Sequence, residues 1–247
     1  VLFRSGGPIL QILDNVFHGA GDELLDLGGD VYIAGNLFQH VSKDDSTSDR
    51  GYANAISTGD AGANTTLVVA RNIFYDVDHA INLKNNAATI FENNTVLQVH
   101  PDFIDRFGNP SVNSAINLFV DEPGATPGRG AYAAGNIFWD LPRVVGNVDL
   151  PDGQVTALQL DHNLLSEEVA AVSPGNRLAT TIELGVGNQI GDPRIANPTE
   201  GDFGLLAGSA AFVGIQGNAY GAIVPAGAWI SGEPQSPTPS DDVALTV

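Results

Sequence analysis

The chain of 247 residues has no cysteine and no methionine, and it is poor in positive charge. Without cysteine it can form neither disulfides nor thiolate metal ligands. Ten lysines and arginines stand against 29 aspartates and glutamates, and the formal net charge of -19 would repel nucleic acid. No apolar run reaches the length of about 18 residues that a membrane span requires. We therefore expect no nucleic-acid partner and no membrane span.

What the chain does contain is typical of β-structure. It is 43% hydrophobic but only 16% charged, and its 29 glycines and 14 prolines predict many turns. Valine, isoleucine, threonine and asparagine dominate the runs between those turns. This composition favours an all-β fold with a substantial core.

The two ends read differently from the middle. The opening "VLFRS" resembles the translation of a sequencing adaptor, so residues 1–5 are interpreted as a non-native leader. The lack of methionine favours a piece of a longer protein. Residues 222–247 contain "SGEPQSPTPSDD", which is typical of an extended linker, and "VALTV", which resembles the first strand of a further domain. The predicted folded domain therefore spans residues 6–221.

One short pattern recurs inside that domain: an asparagine, an aliphatic residue or threonine, and a further apolar residue. Successive asparagines are 21, 36, 22, 42 and 27 residues apart, so the basic unit has 21 or 22 residues and the longer units carry inserted loops. The copies begin at Asn15, Asn36, Asn72, Asn94, Asn136 and Asn163.

Two more columns keep the same register. An apolar residue follows five positions after each asparagine, and an apolar pair opens another short run in each unit. The single residues are Ala20, Val41, Val77, Val99 and Leu141, and the pairs are Leu24-Leu25, Ala55-Ile56, Ala80-Ile81, Ala115-Ile116 and Val144-Val145. Each unit is therefore predicted to contain three strands.

About 22 residues at roughly 3.3 Å each make one circuit of a small coil, and coils stack at about 4.8 Å. Stacking would place an aromatic column inside the coil and an asparagine ladder at a corner, where asparagine tolerates a left-handed conformation. Leucine-rich repeats and β-sandwiches fit less well, because the chain lacks the L-x-x-L-x-L frame and hairpin turns. The predicted fold is an all-β, single-stranded parallel β-helix of about seven coils with three short strands per coil. The predicted aromatic column comprises Phe17, Phe38, Phe74 and Phe138.

These columns resemble the right-handed parallel β-helix of the pectate-lyase-like superfamily. The tail "GDPRIANPTEGDFGLLAGSAA" resembles the closing segment of secreted members, and the similarity covers about residues 8 to 220. The chain also resembles the β-helix module of large secreted or surface proteins of bacteria. The resemblance implies a right-handed coil and an extracellular or cell-surface bacterial location.

Two insertions are predicted to leave the coil at the same corner. They span residues 42–52 and 100–113, and between them lies a coil without an insertion. The two loops should project about 10 Å apart and flank a groove whose floor includes Asp76, Asp78 and His79.

The next strand supplies further groove residues. If Ile81 and Leu83 point inward, Asn82 points outward in a column of short polar side chains, which suits sugar hydroxyls. Tyr52, Tyr75, Phe103 and Trp139 would edge this groove. An equally simple interpretation is that these residues form the solvated half of each strand. The candidate substrate-binding residues are Tyr75, Asp76, Asn82, Asn117, Asp26 and Ser57.

A lyase mechanism is one alternative. The segment "AINLKNN" resembles the one that carries the base lysine in the alginate- and chondroitin-cleaving branch, which implies that Lys84 is the base. The other candidate catalytic residues are His79 and Arg106, which could reach over Lys84 from the second insertion. That branch has a calcium-binding glutamate where this chain has His79, and an arginine where it has Phe119. An ordinary surface lysine is the competing interpretation of Lys84.

Oxygen ligands for Ca²⁺ could come from Asp76, Asp78 and Asp60. Asp76 and Asp78 could instead form the acid pair of a glycoside hydrolase, about 7 Å apart on an extended chain. The acidic run "DDSTSD" lacks the glycine and glutamate of a calcium loop, and the five histidines show no zinc-site spacing.

Three functions remain open. The preferred one is an extracellular, monomeric β-helix module, joined to further domains, that contacts polysaccharide or another surface without catalysis. The second is a polysaccharide lyase or glycosidase that acts on uronate-containing polymers. The third is a structural spacer without a ligand.

Overall fold

The structure is a computed structural model and describes residues 9–43, 53–59, 64–104, 110–111, 113–118, 126, 128–146, 157–166, 170–172, 181–184, 186–213 and 220–222. The described residues form 24 strands and two short 3₁₀ helices, Pro198–Glu200 and Ala210–Val213. No helix in these ranges is long and apolar enough to span a membrane.

The first half of the chain gives the strands β1 (Leu10–Leu13), β2 (Val16–Ala20), β3 (Glu23–Leu27), β4 (Val31–Ala34), β5 (Leu37–Val41), β6 (Asn54–Thr58), β7 (Thr66–Ala70), β8 (Ile73–Val77), β9 (His79–Asn82), β10 (Ala88–Glu92), β11 (Thr95–Val99), β12 (Phe103–Ile104) and β13 (Pro110–Ser111). The second half gives β14 (Ser114–Asn117), β15 (Gly130–Ala134), β16 (Ile137–Trp139), β17 (Arg143–Gly146), β18 (Ala157–Asp161), β19 (Leu164–Leu165), β20 (Ala170–Val172), β21 (Thr181–Leu184), β22 (Gln189–Ile190), β23 (Ile195–Asn197) and β24 (Asp202–Leu205).

Three parallel sheets contain most of these strands. Sheet A has the order β1-β4-β7-β10-β15-β18-β21, sheet B the order β2-β5-β8-β11-β16-β19-β22, and sheet C the order β3-β6-β9-β14-β17-β20. The chain visits A, B and C in turn, so each circuit adds one strand to each sheet. This confirms the predicted parallel β-helix with three strands per coil. Sheets A and B contain seven strands each, one from each of seven coils.

The predicted columns are also confirmed. Val41 lies opposite Val77, and Val77 lies opposite Val99, while the isoleucines of sheet C pair from coil to coil. Because identical residue types lie over one another, every coil buries the same face against the same neighbours. The core is continuous from Leu27 on the first coil to Leu160 on the sixth.

The aromatic column has an additional member. Phe17, Phe38 and Phe74 stack with ring centroids 4.9 Å apart, but the next position in the column is Val96, which is too small to continue the stack. Phe91 of sheet A fills the gap, with centroids 5.7 Å from Phe74 and 6.2 Å from Phe138. The column therefore runs on through a ring from a neighbouring strand.

The asparagine ladder is confirmed and is longer than predicted. Each side-chain amide donates to the Oδ1 of the next asparagine, at 3.1 Å from Asn15 to Asn36 and at 2.9 Å from Asn36 to Asn72. The ladder continues through Asn94, Asn136 and Asn163 to a seventh member, Asn188.

The left-handed conformation is not where it was predicted. It belongs to the residue before each ladder asparagine, and not to the asparagine itself. Positive φ angles occur at Asp14, Gly35, Arg71, Asn93, Gly135, His162 and Gly187. The left-handed residue turns the chain between sheets A and B, so that the asparagine side chain points along the ladder.

The last described segments pack on the outer face of sheet B. Phe203 contacts the ring of Tyr75 with centroids 5.4 Å apart, and a small apolar cluster joins them to Leu37, Leu97 and Ala222. The backbone N–H of Ala222 donates to Thr95 Oγ1, which ties the chain end to strand β11. The tail "GDPRIANPTEGDFGLLAGSAA" therefore forms a cover on sheet B.

Candidate functional site

A second column of left-handed residues lies at the corner between sheets B and C. The φ angles are +58° at His40, +57° at Asp76, +55° at Gln98 and +53° at Asp140, with Gly19 as the first member. In sheet B these residues do not pair with the neighbouring strands, whereas the residues on either side of them do. The corner therefore presents one side chain per coil, in a row along the helix axis.

His100 joins two aspartates of the preceding coil. Its Nε2 lies 2.6 Å from Asp76 Oδ1, and its Nδ1 lies 2.8 Å from Asp78 Oδ1. The other oxygen of Asp76 lies 2.5 Å from His40 Nδ1. Four titratable side chains from three successive coils thus form one hydrogen-bonded cluster, which we call the corner cluster: His40, Asp76, Asp78 and His100.

The pKa shifts of His100 and Asp76 follow from these contacts. The hydrogen bond to Asp78, together with that to Asp76, raises the pKa of His100 to about 9 although burial opposes this. Burial raises the pKa of Asp76, but its hydrogen bonds to His40 and His100 outweigh burial and leave that pKa below its usual value. At neutral pH, His100 is a cation between two carboxylates.

Asp78 ties the bases of both predicted insertions to the coil between them. Its side chain is 3% exposed, and its Oδ2 accepts a hydrogen bond from the backbone N–H of Lys43 at 2.9 Å. Its Oδ1 faces His100 and the side-chain amide of Asn113. The two insertions therefore begin on either side of Asp78, as the sequence predicted. Residues 44–52, 105–109 and 112 lie outside the described part of the chain.

A buried arginine holds the second insertion from the other side. Arg143, on strand β17, donates to both oxygens of Asp102 at 2.6 and 2.7 Å and to the backbone oxygen of Asn113. The described ends of this insertion pair as the short antiparallel strands β12 and β13. The stem of the insertion is thus fixed by a bidentate ion pair.

Two of the three residues predicted to be catalytic, His79 and Lys84, lie in the described part of the chain. His79 is completely buried, and burial lowers its pKa to about 4 although the charge of Asp78 opposes this, so its imidazole is neutral. Lys84 lies five residues further along the chain, about 16 Å away on an extended strand. Burial and Asp22 raise the pKa of Glu23 to about 7, and the charge of Lys84 opposes this rise. Arg106 lies outside the described residues.

The predicted polar column on sheet C is in register but is not exposed. Asp26, Ser57, Asn82 and Asn117 lie opposite one another on successive strands, while Ile56, Ile81 and Ile116 beside them enter the core. Asp26 is exposed, but the relative exposures of Ser57, Asn82 and Asn117 are 0, 6 and 0%. These three side chains are therefore buried, whereas the predicted groove floor requires exposed ones.

The two aromatic residues predicted to edge the groove lie on another face. Tyr75 and Trp139 are on sheet B, in one column with Leu97, and contact the C-terminal cover. Tyr52 lies outside the described part of the chain, as does the side chain of Phe103.

The described residues do not fit a calcium site. Both oxygens of Asp76 are bonded to imidazoles, and those of Asp78 are bonded to His100, Asn113 and a backbone N–H. No group of three or more histidines and carboxylates with the geometry of a metal site occurs among the described residues. Asp60, the third predicted ligand, lies outside them.

The sequence analysis identified Asp76 and Asp78 of the corner cluster but not its two histidines or the nearby arginine. His40, His100 and Arg143 were not candidates, although Val77 and Val99 had already been placed in one column. Asp78 and His100 each follow one of those valines, so their contact could have been predicted from the register.

The fold and the corner define a parallel β-helix protein with three strands per coil and a polar cluster at the junction of sheets B and C. No family model matches the chain, and neither do the curated proteins or solved structures with which it was compared. Its function is therefore argued from its own residues.

Proposed function

We propose that this chain is a non-catalytic, extracellular β-helix module that contacts a polysaccharide at the outer side of sheet C and the adjoining corner cluster. One observation carries the proposal. Ser57 Oγ and Asn82 Oδ1 are buried, lie on adjacent coils and have no hydrogen-bond partner among the described residues.

Unpaired buried oxygens are costly, at about 1–3 kcal/mol each. A folded protein keeps them where a ligand or water completes the bonding. Sugar hydroxyls both donate and accept, so a glycan hydroxyl that reaches this side of sheet C would complete the bonding of Ser57 Oγ and Asn82 Oδ1. The proposal includes the groove between the insertions at residues 42–52 and 100–113. Asp78 is hydrogen-bonded to the base of each insertion.

The corner cluster supports binding over catalysis. A general acid or nucleophile needs a free carboxyl oxygen at the surface. Asp78 is buried with both oxygens bonded, and Asp76 is held between two imidazoles. This rigid network suits a platform that orients polar groups, and at neutral pH it offers the His100 cation at the base of the second insertion.

A paired measurement of stability and binding tests the proposal. Ser57→Ala removes a buried hydroxyl that has no partner in the described part of the chain, so the free energy of unfolding should stay the same or rise by about 1 kcal/mol. The same variant should bind a retained glycan at least about threefold more weakly. Binding would be measured on a glycan array and then by calorimetry.

A matched control is Gln159→Ala, an exposed polar side chain on sheet A. It should leave both quantities unchanged. A Ser57→Ala protein that is destabilised, or that binds the retained glycan as tightly as the unaltered chain, would remove sheet C from the proposal.

The lyase and glycosidase alternative is tested in the same preparation. Uronate polymers with and without Ca²⁺ would be assayed for the absorbance of the unsaturated product and for new reducing ends. Product that disappears in Lys84→Ala would replace the binding proposal by the enzymatic one. The proposal also retains the finer kinship with the pectate-lyase-like superfamily, supported by the repeat columns and the tail, and an extracellular bacterial location.

A further inference from the structure

A second surface is independent of sheet C. A cleft of about 920 Å³ lies between the outer face of sheet B and the C-terminal cover. One wall consists of residues from sheet B and the corner, and the other of residues 191–206. Its lining includes Tyr75, Leu97, Gln98, Trp139, Asp140, Ser166, Asp192, Arg194, Thr199 and Leu206.

The cleft is elongated along the helix axis. Tyr75 lies on the third coil, and Leu97 and Trp139 lie beside it in register on the fourth and fifth. Ser166 follows Leu165 on the sixth coil, and the N–H of Gly191 donates to Leu165 from the seventh. Four steps of about 4.8 Å make the cleft about 19 Å long. A linear ligand fits this shape better than a compact one.

The wall offers an aromatic platform. Trp139 is partly exposed and packs against both small apolar clusters beneath the cover, so its ring is held in place. Leu206 is 46% exposed on the opposite wall. A fixed indole flanked by an aliphatic side chain suits the apolar face of a sugar ring.

Polar groups with free bonding capacity surround that platform. Gln98 and Asp140 are exposed left-handed corner residues on adjacent coils, and neither side chain has a hydrogen-bond partner among the described residues. Arg194 is also left-handed and exposed, with φ of +47°, and within the same ranges its guanidinium forms no hydrogen bond or ion pair. Side chains of this kind donate to and accept from hydroxyls.

The charge of the lining restricts the ligand. Asp140 and Asp192 supply two carboxylates and Arg194 one guanidinium. Burial, and after it the charges of Asp76 and Asp140, raise the pKa of Tyr75, so both carboxylates act on that end of the cleft. A polyanion would be repelled by this end and by the net charge of -19. A polycation would meet Arg194 in the opposite wall.

We infer that this cleft is a binding site for a linear, uncharged oligosaccharide, with Trp139 as the stacking platform and Gln98, Asp140 and Arg194 as hydroxyl ligands. The inference does not depend on the proposal for sheet C, because no residue that lines the cleft belongs to that site or to the corner cluster.

The test uses the whole chain and four hexasaccharides: two neutral β-linked hexose oligomers, a uronate oligomer and a glucosamine oligomer. Calorimetry gives Kd, and tryptophan fluorescence reports the site, because the chain has only two tryptophans. At least one neutral oligomer should bind, and the uronate oligomer should bind at least about tenfold more weakly at low salt. Trp139→Ala should weaken neutral binding about tenfold.

Two variants make the result specific. Tyr132→Ala, a partly exposed aromatic on sheet A of the same coil, should bind like the unaltered chain. Asp140→Asn keeps the size of the side chain and one acceptor oxygen but removes the charge, so the difference in affinity between neutral and uronate oligomers should narrow.

Three results would overturn the inference: no neutral oligomer binds, a charged oligomer binds more tightly than both neutral ones, or Trp139→Ala binds unchanged. Ser57→Ala, measured on the same panel, keeps the two sites apart. Binding lost in Trp139→Ala but retained in Ser57→Ala supports the cleft and counts against sheet C, and the converse counts against the cleft.

Discussion

The side-chain amide of Asn72 donates to Asn94 Oδ1 at 3.0 Å, and both side chains are completely buried. Asn72 also donates to the backbone oxygens of Ile33 and Ala70, and it accepts from the backbone and side chain of Asn36. One side chain thus satisfies polar groups on three coils. The ladder is a chain of such residues and is the strongest polar element of the fold.

Asn72→Ala should lower the free energy of unfolding by about 3 kcal/mol, because it leaves buried donors and acceptors on neighbouring coils without partners. Asn15→Ala removes the exposed first member and should cost less than about 1 kcal/mol. Urea unfolding followed by circular dichroism gives both values. Equal losses at the two positions would contradict a ladder whose contribution depends on burial.

The aromatic column offers a volume exchange. Phe91→Val should cost about 2–4 kcal/mol, because it opens a gap between Phe74 and Phe138. Val96→Phe alone should cost about 1–3 kcal/mol, since its ring would enter space that Phe91 occupies. The double variant conserves volume and should recover to within about 1.5 kcal/mol of the unaltered chain. If thermal unfolding shows that the stability losses of the two single variants simply add, Phe91 does not fill the gap that Val96 leaves in the column.

The fold could be predicted because each coil repeats the same residue types at the same positions. The asparagine and phenylalanine columns and the apolar pairs gave the register before any coordinates. The seventh ladder member escaped because Gln189 follows Asn188, which breaks the pattern of an aliphatic second residue. The left-handed column had a signal too: Asp14, Gly35, Asn93, Gly135 and Gly187 are residue types that tolerate positive φ.

The site was harder to predict than the fold. Alternation along β9 places Asn82 opposite the core, but alternation does not show whether another part of the chain covers that side. The sequence analysis placed Tyr75 and Trp139 at the edge of a groove on sheet C. In the structure they pack in one cluster with Phe203 and Ile195, which are distant in sequence, and the repeat pattern does not predict such packing. Long-range packing of an irregular tail leaves no periodic signal.

The bidentate pair between Arg143 and Asp102 fixes the stem of the second insertion. Arg143→Lys keeps the charge but cannot donate through a planar fork, so it should lose about 2 kcal/mol of stability. Asp102→Asn should lose a similar amount, because it removes the charge and one of the two acceptor oxygens from Arg143, which is 8% exposed. In a double-mutant cycle the combined loss should be smaller than the sum. Strictly additive losses would show that the two side chains act separately.

The corner cluster predicts the pH dependence of stability. The pKa of His100 is about 9 in the folded chain and near 6.5 when unfolded, so the folded state binds the proton more tightly. Its stabilising contribution is fully present below about pH 6.5 and is lost as pH rises through about 9. Asp76 has a lowered pKa, so its contribution is present above about pH 4 and is lost at lower pH. Urea midpoints should therefore fall between pH 7 and 10.

His100→Gln keeps a side chain that can donate to a carboxylate but removes the titrating ring. Its urea midpoint should be lower than that of the unaltered chain at pH 6 and should change less between pH 7 and 10. His18→Gln, a substitution of an exposed histidine on the first coil, should keep the original slope. A His100→Gln protein with the same slope as the unaltered chain would mean that another group titrates in this range. In that case the bridge from His100 to Asp76 and Asp78 would not be the origin of the pH dependence.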